Sequence, residues 1–256
     1  MKIGIAILCT NAYFPLGVRL VKRFNHFYKG DNELKFFLFT DTNPDEYLPK
    51  SVAFEWIELR NSNWVEGTNA KFTSILSLNN RDMDYIYYID ADTNILKDFG
   101  DWFLGDLVGG QHYGDQTYMI NDKPYERNPR SMAYIPKDTN LPQMYYYGAF
   151  FGGKRERVID FCKVLIAWQS EDKSWGYEPI WNDESYIQRY FHYEPPKVIL
   201  CKDFPFIVSD KGGIGETRNT NLDVNSLKAD LRKYRDMLVD IRGGEVILDT
   251  KIYKRG

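Results

Sequence analysis

The stretch Tyr85-Ile86-Tyr87-Tyr88-Ile89-Asp90-Ala91-Asp92 decides the fold. An unbroken apolar, strand-favouring run stops at two carboxylates separated by one small residue. Such a run, aromatic and β-branched without polar alternation, reads as a strand buried on both faces. In open α/β sheets ligands gather beyond the carboxyl ends of the strands. Carboxylate oxygens suit Mg²⁺ or Mn²⁺, so Asp90 and Asp92 are candidates for a cation held against a diphosphate. An isolated Asp-x-Asp is more often just the start of a turn, and the rest of the chain has to decide.

Working upstream, residues 3–9 and 34–40 are two further continuous apolar runs. Between them Val18, Val21, Phe24 and Phe27 recur at helical spacing, after Pro15 and before Gly30, which predicts a β-α-β unit. A second helix is expected after Thr68-Asn69, with Phe72, Ile75 and Leu76 on one face, leading into the strand at 85–89. Strands alternating with helices make this an α/β chain with a mostly parallel sheet. Downstream, residues from about 109 to 143 lose all periodicity, and a segment of that length is expected to be functional or mobile. Val158, Ile159, Phe161, Cys162, Leu165 and Ile166 mark a helix after Gly152-Gly153. Leu227, Leu231, Tyr234, Leu238 and Ile241 predict a last helix, between Ser226 and Gly243-Gly244, in a helical tail over about 205–256. With no linker and no internal repeat, 1–256 reads as one domain.

Bulk properties narrow the function. A formal charge of −3 leaves no electrostatic footprint for nucleic acid or an anionic membrane surface. Aromatic residues make up 16% of the chain, a surplus that fits ring or sugar stacking and equally a Tyr-rich core. Cys9, Cys162 and Cys201 are odd in number, widely spaced and set in apolar runs, so reduced core thiols are expected rather than a disulfide framework or a zinc site. The apolar opening 3–9 is short and lacks a small-residue cleavage pattern, so it reads as a strand rather than a signal peptide. No apolar run approaches the roughly 20 residues that span a bilayer, and the expected location is the cytoplasm.

Four segments taken together resemble glycosyltransferase family 6, which includes the histo-blood-group A and B transferases and the α-1,3-galactosyltransferase. They are Asp90-Ala91-Asp92; Tyr125-Glu126-Arg127 with Ala133-Tyr134-Ile135-Pro136-Lys137-Asp138; Tyr145-Tyr146-Tyr147-Gly148-Ala149-Phe150-Phe151-Gly152-Gly153; and Trp181-Asn182-Asp183-Glu184-Ser185. The likeness covers the chain to about residue 204 and fades beyond it. It implies a GT-A fold, Rossmann-like with a mostly parallel sheet flanked by helices. It also implies retaining transfer of N-acetylgalactosamine or galactose from a UDP-sugar to the 3-hydroxyl of a galactoside, fucosylated or not. Another GT-A transferase, such as an α-glucosyltransferase, and a non-catalytic sugar-binding domain are the alternatives.

The resemblance assigns roles to residues. Cys9 ends the first strand and Thr10, Asn11 and Tyr13 follow it, where the donor is expected with its uracil ring against Tyr13. Asp90 and Asp92, with Ala91 between, would hold Mn²⁺ or Mg²⁺. Many bacterial members carry asparagines at both positions and work without a cation, so metal-independent transfer stays open for this bacterial-looking chain. Lys71 stands where the family usually has Arg, which keeps the charge and loses the bidentate fork. Tyr147, Gly148 and Ala149 match the segment that tunes the donor pocket: Ala149 narrows it towards galactose, whereas bacterial relatives often use N-acetylgalactosamine. Glu184 is the implied catalytic carboxylate and also borders the acceptor; Asp183 would bind donor hydroxyls. His112 and Trp181 fall at acceptor-contacting positions. Glu126 and Arg127 read as a structural ion pair or hydrogen-bonding hub. Lys211, beside Gly212-Gly213, is the first choice among the basic residues that could close over the diphosphate.

Overall fold

The computed structural model describes residues 1–60, 64–95, 98–112, 123–137 and 144–200, together with short strands at 206–208, 238–241, 244–247 and 252–254. It opens with β1 (Lys2–Leu8), α1 (Phe14–Phe27), β2 (Glu33–Thr40) and β3 (Phe54–Glu58). Two short helices follow, α2 (Trp64–Asn69) and α3 (Lys71–Leu76), then β4 (Tyr85–Ile89), β5 (Thr93–Ile95), β6 (Leu107–Gln111) and β7 (Tyr146–Lys154). The long helices α4 (Arg155–Ser174) and α5 (Asn182–Tyr193) lead to β8 (Val198–Leu200), β9 (Phe206–Val208), β10 (Leu238–Ile241), β11 (Gly244–Ile247) and β12 (Ile252–Lys254).

Eight strands form one mixed sheet in the order β12-β8-β6-β7-β4-β1-β2-β3. The half from β4 to β3 is parallel, whereas β7 runs antiparallel to both of its neighbours, β4 and β6. Side chains alternate across β1: Ile3, Ile5 and Ile7 join the core under α1, and Ala6 joins the opposite core, to which α3, α4 and α5 contribute. The sheet is therefore covered on both faces, as continuous apolar strands require. Pro15 sits in the first turn of α1, where its missing N–H costs no hydrogen bond. Gly17 lets α1 seat on β1, because a Cβ there would lie 2.5 Å from the Cys9 sulfur. This is the α/β, GT-A-like arrangement expected from the sequence.

Several elements depart from expectation. The edge strand β3 was not foreseen; its Phe-Glu-Trp-Ile-Glu run is only half-buried and gives no continuous apolar signal. The second helix has a partner, since α2 precedes α3 and ends at the residues taken for its start. Residues 109–111 are not irregular but complete β6, a strand weakened in sequence by Gly109 and Gly110. Residues 123–137 carry no regular element, yet Tyr125, Glu126, Ser131, Ala133 and Ile135 are buried. The helix predicted through Leu238 and Ile241 is corrected: both lie in β10, which pairs with β11. Val239, Ile241, Val246 and Ile247 are β-branched, and that preference outweighs the apparent helical spacing. The remainder of that predicted helix, 227–237, falls outside the described residues. Cys9 and Cys162 are buried free thiols, and Cys201 lies outside the described residues.

Candidate active site

Because β1 and β4 run parallel with Ala6 opposite Tyr88, their carboxyl ends leave the sheet side by side. Thr10 to Tyr13 follow β1, and Asp90 to Asp92 follow β4. Asn11 adopts φ 53°, and its N–H donates to the Asp41 carboxylate at 3.0 Å, so the turn after β1 is tied to the end of β2. Tyr13 is half-buried against the core at the start of α1. The Cys9 side chain is turned into that core, and burial pushes its thiol up to about 12, which leaves no thiolate for ligand chemistry. Asp41 was absent from the sequence reading. Its position just after a strand, as with Asp90, was the available signal.

The centre of the site is a cation between two carboxylates. Lys71, the first residue of α3, is buried, with its Nζ 3.1 Å from Asp90 Oδ1 and 2.9 Å from Asp183 Oδ2. It also donates to the Gly148 carbonyl at 3.3 Å and lies 5.1 Å from the centre of the Tyr88 ring. Burial alone would lower the ammonium, but Asp183 and Asp90 outweigh it and hold Lys71 raised. Burial is likewise the largest influence on Asp183: despite Lys71, its carboxyl is pushed up to about 6. One ammonium thus joins the ends of α3, β4, β7 and α5. The Tyr88 hydroxyl donates to Asp90 Oδ1 at 2.6 Å, a contact between residues two apart that period-2 geometry could have suggested.

Glu184 is buried at the start of α5, and its Oε2 accepts the Gly148 N–H at 2.8 Å. Four residues on, and therefore on the same helical face, Gln188 clasps Tyr146: its Oε1 accepts the Tyr146 N–H at 2.9 Å, and its Nε2 donates to the Tyr146 carbonyl. Glu184 and Gln188 together fix α5 to β7. Gly148 allows this close approach, since a Cβ would sit 3.0 Å from Glu184 Oε2 and 3.2 Å from its Cβ and would force one of the two elements to give by a few tenths of an ångström. Gln188 escaped the sequence reading, although its spacing from Glu184 marked it.

Beside this cluster His112 stacks on Tyr147, with ring centroids 4.6 Å apart and planes 15° from parallel. A residue expected at the acceptor and one expected at the donor therefore share a wall. Ala149 is buried, and its carbonyl accepts the Asp90 N–H at 2.9 Å. Trp181, just before α5, is 47% exposed beside exposed Ile180. Lys211 lies outside the described residues.

The chemistry of a divalent cation fits the end of β4 in part. Asp90 and Asp92 supply hard oxygen donors, although Asp90 Oδ1 is already shared by Lys71 and Tyr88. Among the described residues no three His, Cys, Asp or Glu side chains gather as a complete cation site. The remaining ligands would come from a diphosphate and water, the usual manner of Mg²⁺ in phosphate sites.

A family model described as Glycosyltransferase family 6 matches residues 1–212. The chain belongs to glycosyltransferase family 6. It is 29% identical to the chicken globoside α-1,3-N-acetylgalactosaminyltransferase 1, over 80% of this chain and 61% of that protein. It is 34% identical to the rat histo-blood group ABO system transferase 2 over a shorter stretch, 48% of this chain and 36% of the relative. The Escherichia coli O-antigen biosynthesis glycosyltransferase WbnI is 26% identical, over 78% of this chain and 86% of its own length. The chain thus spans about three-fifths of the length of the vertebrate family 6 protein it matches along most of its own length. The family match covers every site residue named so far, and among the described residues no helix is long and apolar enough to cross a membrane.

Proposed function

We propose that the protein is a retaining α-1,3-glycosyltransferase that moves N-acetylgalactosamine or galactose from a UDP-sugar to the 3-hydroxyl of a galactoside acceptor. The observation that carries this reading is the Lys71 bridge, which holds Asp90 at the end of β4 against Asp183 at the start of α5. A diphosphate end and a sugar end of one donor need two such clusters a short distance apart. Membership of family 6, and relatives named as α-1,3-N-acetylgalactosaminyl and blood-group transferases, support the same substrates.

In this reading Thr10, Asn11 and Tyr13 take the uridine. Asp90 and Asp92 would hold Mn²⁺ or Mg²⁺, which would supply positive charge against the diphosphate leaving group. Asp183 and the Lys71 ammonium order the donor-sugar hydroxyls, and the Tyr147-Gly148-Ala149 segment of β7 limits room at the sugar's second carbon. Glu184, with one oxygen fixed on the Gly148 N–H, stands under the anomeric carbon. It serves there either as nucleophile or as the charge that stabilises an oxocarbenium-like centre. Trp181 offers its exposed face, and His112 its ring edge, to the acceptor. Lys211 closes on the diphosphate, and the reaction belongs in the cytoplasm.

One experiment tests the whole reading. The protein is incubated with UDP-GalNAc, UDP-Gal or UDP-Glc and with lactose or 2′-fucosyllactose, in Mn²⁺ or in excess EDTA. Transfer from UDP-GalNAc or UDP-Gal, stimulated by Mn²⁺, is expected. Turnover with UDP-Glc alone would replace the donor assignment, and full activity in EDTA would remove the metal role of Asp90 and Asp92.

A further inference from the structure

The turn that leads into α5 is held from outside the reacting centre. Its backbone runs Pro179-Ile180-Trp181-Asn182, closed by the Asn182 N–H on the Pro179 carbonyl at 3.0 Å, and Asn182 adopts the left-handed φ of 45°. Asn is one of the few residues other than glycine that takes this conformation readily, so it suits the bend. Two side chains hold the backbone just before it. The Trp181 N–H donates to Ser185 Oγ at 3.0 Å, a contact within the first turn of α5. The Ile180 N–H donates to Glu126 Oε2 at 2.9 Å, a contact that crosses 54 residues of chain. The other oxygen of Glu126 accepts the Asn128 N–H at 2.7 Å, so one buried carboxylate joins the irregular stretch 123–137 to the turn. That stretch is itself anchored. Ser131 Oγ and the Met132 N–H donate to the buried Asp172 of α4, which also receives the Tyr186 hydroxyl of α5, and Arg189 of α5 donates to the Tyr134 carbonyl.

From this arrangement we infer that Glu126 is a positioning residue for the acceptor: by gripping the Ile180 N–H it fixes the turn that presents the Trp181 ring beside Asp183 and Glu184. The inference rests on the proposed function, in which Trp181 meets the acceptor. The geometry explains a burial pattern that a loop alone does not. Ile180 and Trp181 turn their side chains outward, at 58% and 47% exposure, while the N–H groups of both are held by protein. An apolar edge whose backbone is fixed is ready for a sugar face; one free to move would lose orientation on each encounter.

Glu126→Gln is the discriminating variant, because it keeps one acceptor oxygen but sets an NH₂ group against the second N–H. Glu126→Ala removes both acceptors. Hydrogen–deuterium exchange is followed across residues 178–184, and kinetics are measured with UDP-GalNAc and 2′-fucosyllactose, with hydrolysis of UDP-GalNAc by water as the donor-only reaction. In Glu126→Gln, exchange at 178–184 should rise about tenfold while β1 and β4 stay protected. The acceptor KM should rise about fivefold to tenfold, with the donor KM and hydrolysis rate within about twofold of the parent. Glu126→Ala should go further in the same direction. Unchanged exchange at the turn, an unchanged acceptor KM, or equal losses in hydrolysis and transfer would each overturn the positioning role. If the parent protein transfers to neither lactose nor 2′-fucosyllactose, the proposed function fails. The positioning of the ring is then judged by acrylamide quenching of Trp181 fluorescence, against a Trp181→Phe blank: it stands if Glu126→Gln changes the quenching and falls if it does not.

Discussion

Two carboxylate pairs meet in this site, and the fold treats them differently. Asp90 and Asp92 sit where β4 gives way to a turn, both partly open to solvent, with Asp90 taking a hydroxyl and an ammonium. Asp183 and Glu184 begin a helix and are buried, one facing Lys71 and the other fixed on a β7 amide. An open pair can accept a mobile, hydrated cation and release it; a buried pair keeps a set geometry through the reaction. In the proposed function this difference becomes a division of labour between a leaving diphosphate and a sugar centre. Lys71 is the element common to both, so the comparison can be broken at either pair or at the bridge.

The largest effect is expected at the buried pair. Glu184→Gln should lower kcat by about 10³-fold, about 4 kcal/mol of barrier, while UDP binding measured by calorimetry stays near the parent value. Transfer at a near-normal rate would remove Glu184 from the reaction. The bridge comes next. Lys71→Met leaves Asp183 and Asp90 facing each other without a cation, and breaking a buried pair in this way costs about 3–5 kcal/mol of stability. Urea unfolding gives that number directly. A loss below about 1 kcal/mol, the range of an exposed pair, would show that the two carboxylates do not depend on Lys71.

Much of this was legible in the sequence, and for physical reasons. Strands β1, β2 and β4 are buried on both faces, so they announce themselves as unbroken apolar runs, and α1 shows a clean apolar stripe. β3 and β6 are short, one half-exposed and the other carrying two glycines, and neither leaves a periodic signal. The last predicted helix failed at Leu238 and Ile241 because regular spacing of apolar residues cannot distinguish a helix from alternating β-branched strands when its polar positions are uninformative. In the site, Asp90, Asp92 and Glu184 stood out because motif and position coincide. Lys71 was marked by the resemblance alone; its contact with Asp183 joins residues 112 positions apart, and only the packing of α3 against the ends of β4, β7 and α5 creates it. Glu126 was rightly read as a hub, although its distant partner is the Ile180 amide rather than a side chain.

A smaller effect tests how tightly the buried pair is seated. Gly148→Ala introduces a Cβ 3.0 Å from Glu184 Oε2 and 3.2 Å from its Cβ, so either β7 or α5 must shift by a few tenths of an ångström. Overpacking of this sort costs about 1–3 kcal/mol, and kcat should fall while UDP affinity is retained. An unchanged kcat would mean that Glu184 does not need its place against β7. Asp92→Asn offers the contrast at the open pair: the Mn²⁺ response should weaken without a measurable loss of stability.

The mildest test is the pH dependence of stability. Asp183 is raised from its ordinary 3.8 to about 6, so between those values the folded chain holds a proton that the unfolded chain has released. Its contribution is fully present below about pH 4 and is lost as the pH rises through 6. Lys71 does not oppose this in the same window: its ammonium is raised from 10.5, so its own contribution persists until the solution is strongly alkaline. Glu55, Asp101 and Glu194 do oppose it, since their carboxyls are lowered and gain stability as the pH rises. A raw melting curve mixes these slopes. The difference between Asp183→Asn and the parent isolates the buried carboxyl, because the other groups are common to both. The Tm of the variant relative to the parent should climb between pH 4 and 7, by about 2–4 °C for each kcal/mol involved. A flat difference would mean that Asp183 is ionised throughout, with Lys71 fully offsetting its burial, and the two carboxylate pairs would then differ in position but not in charge.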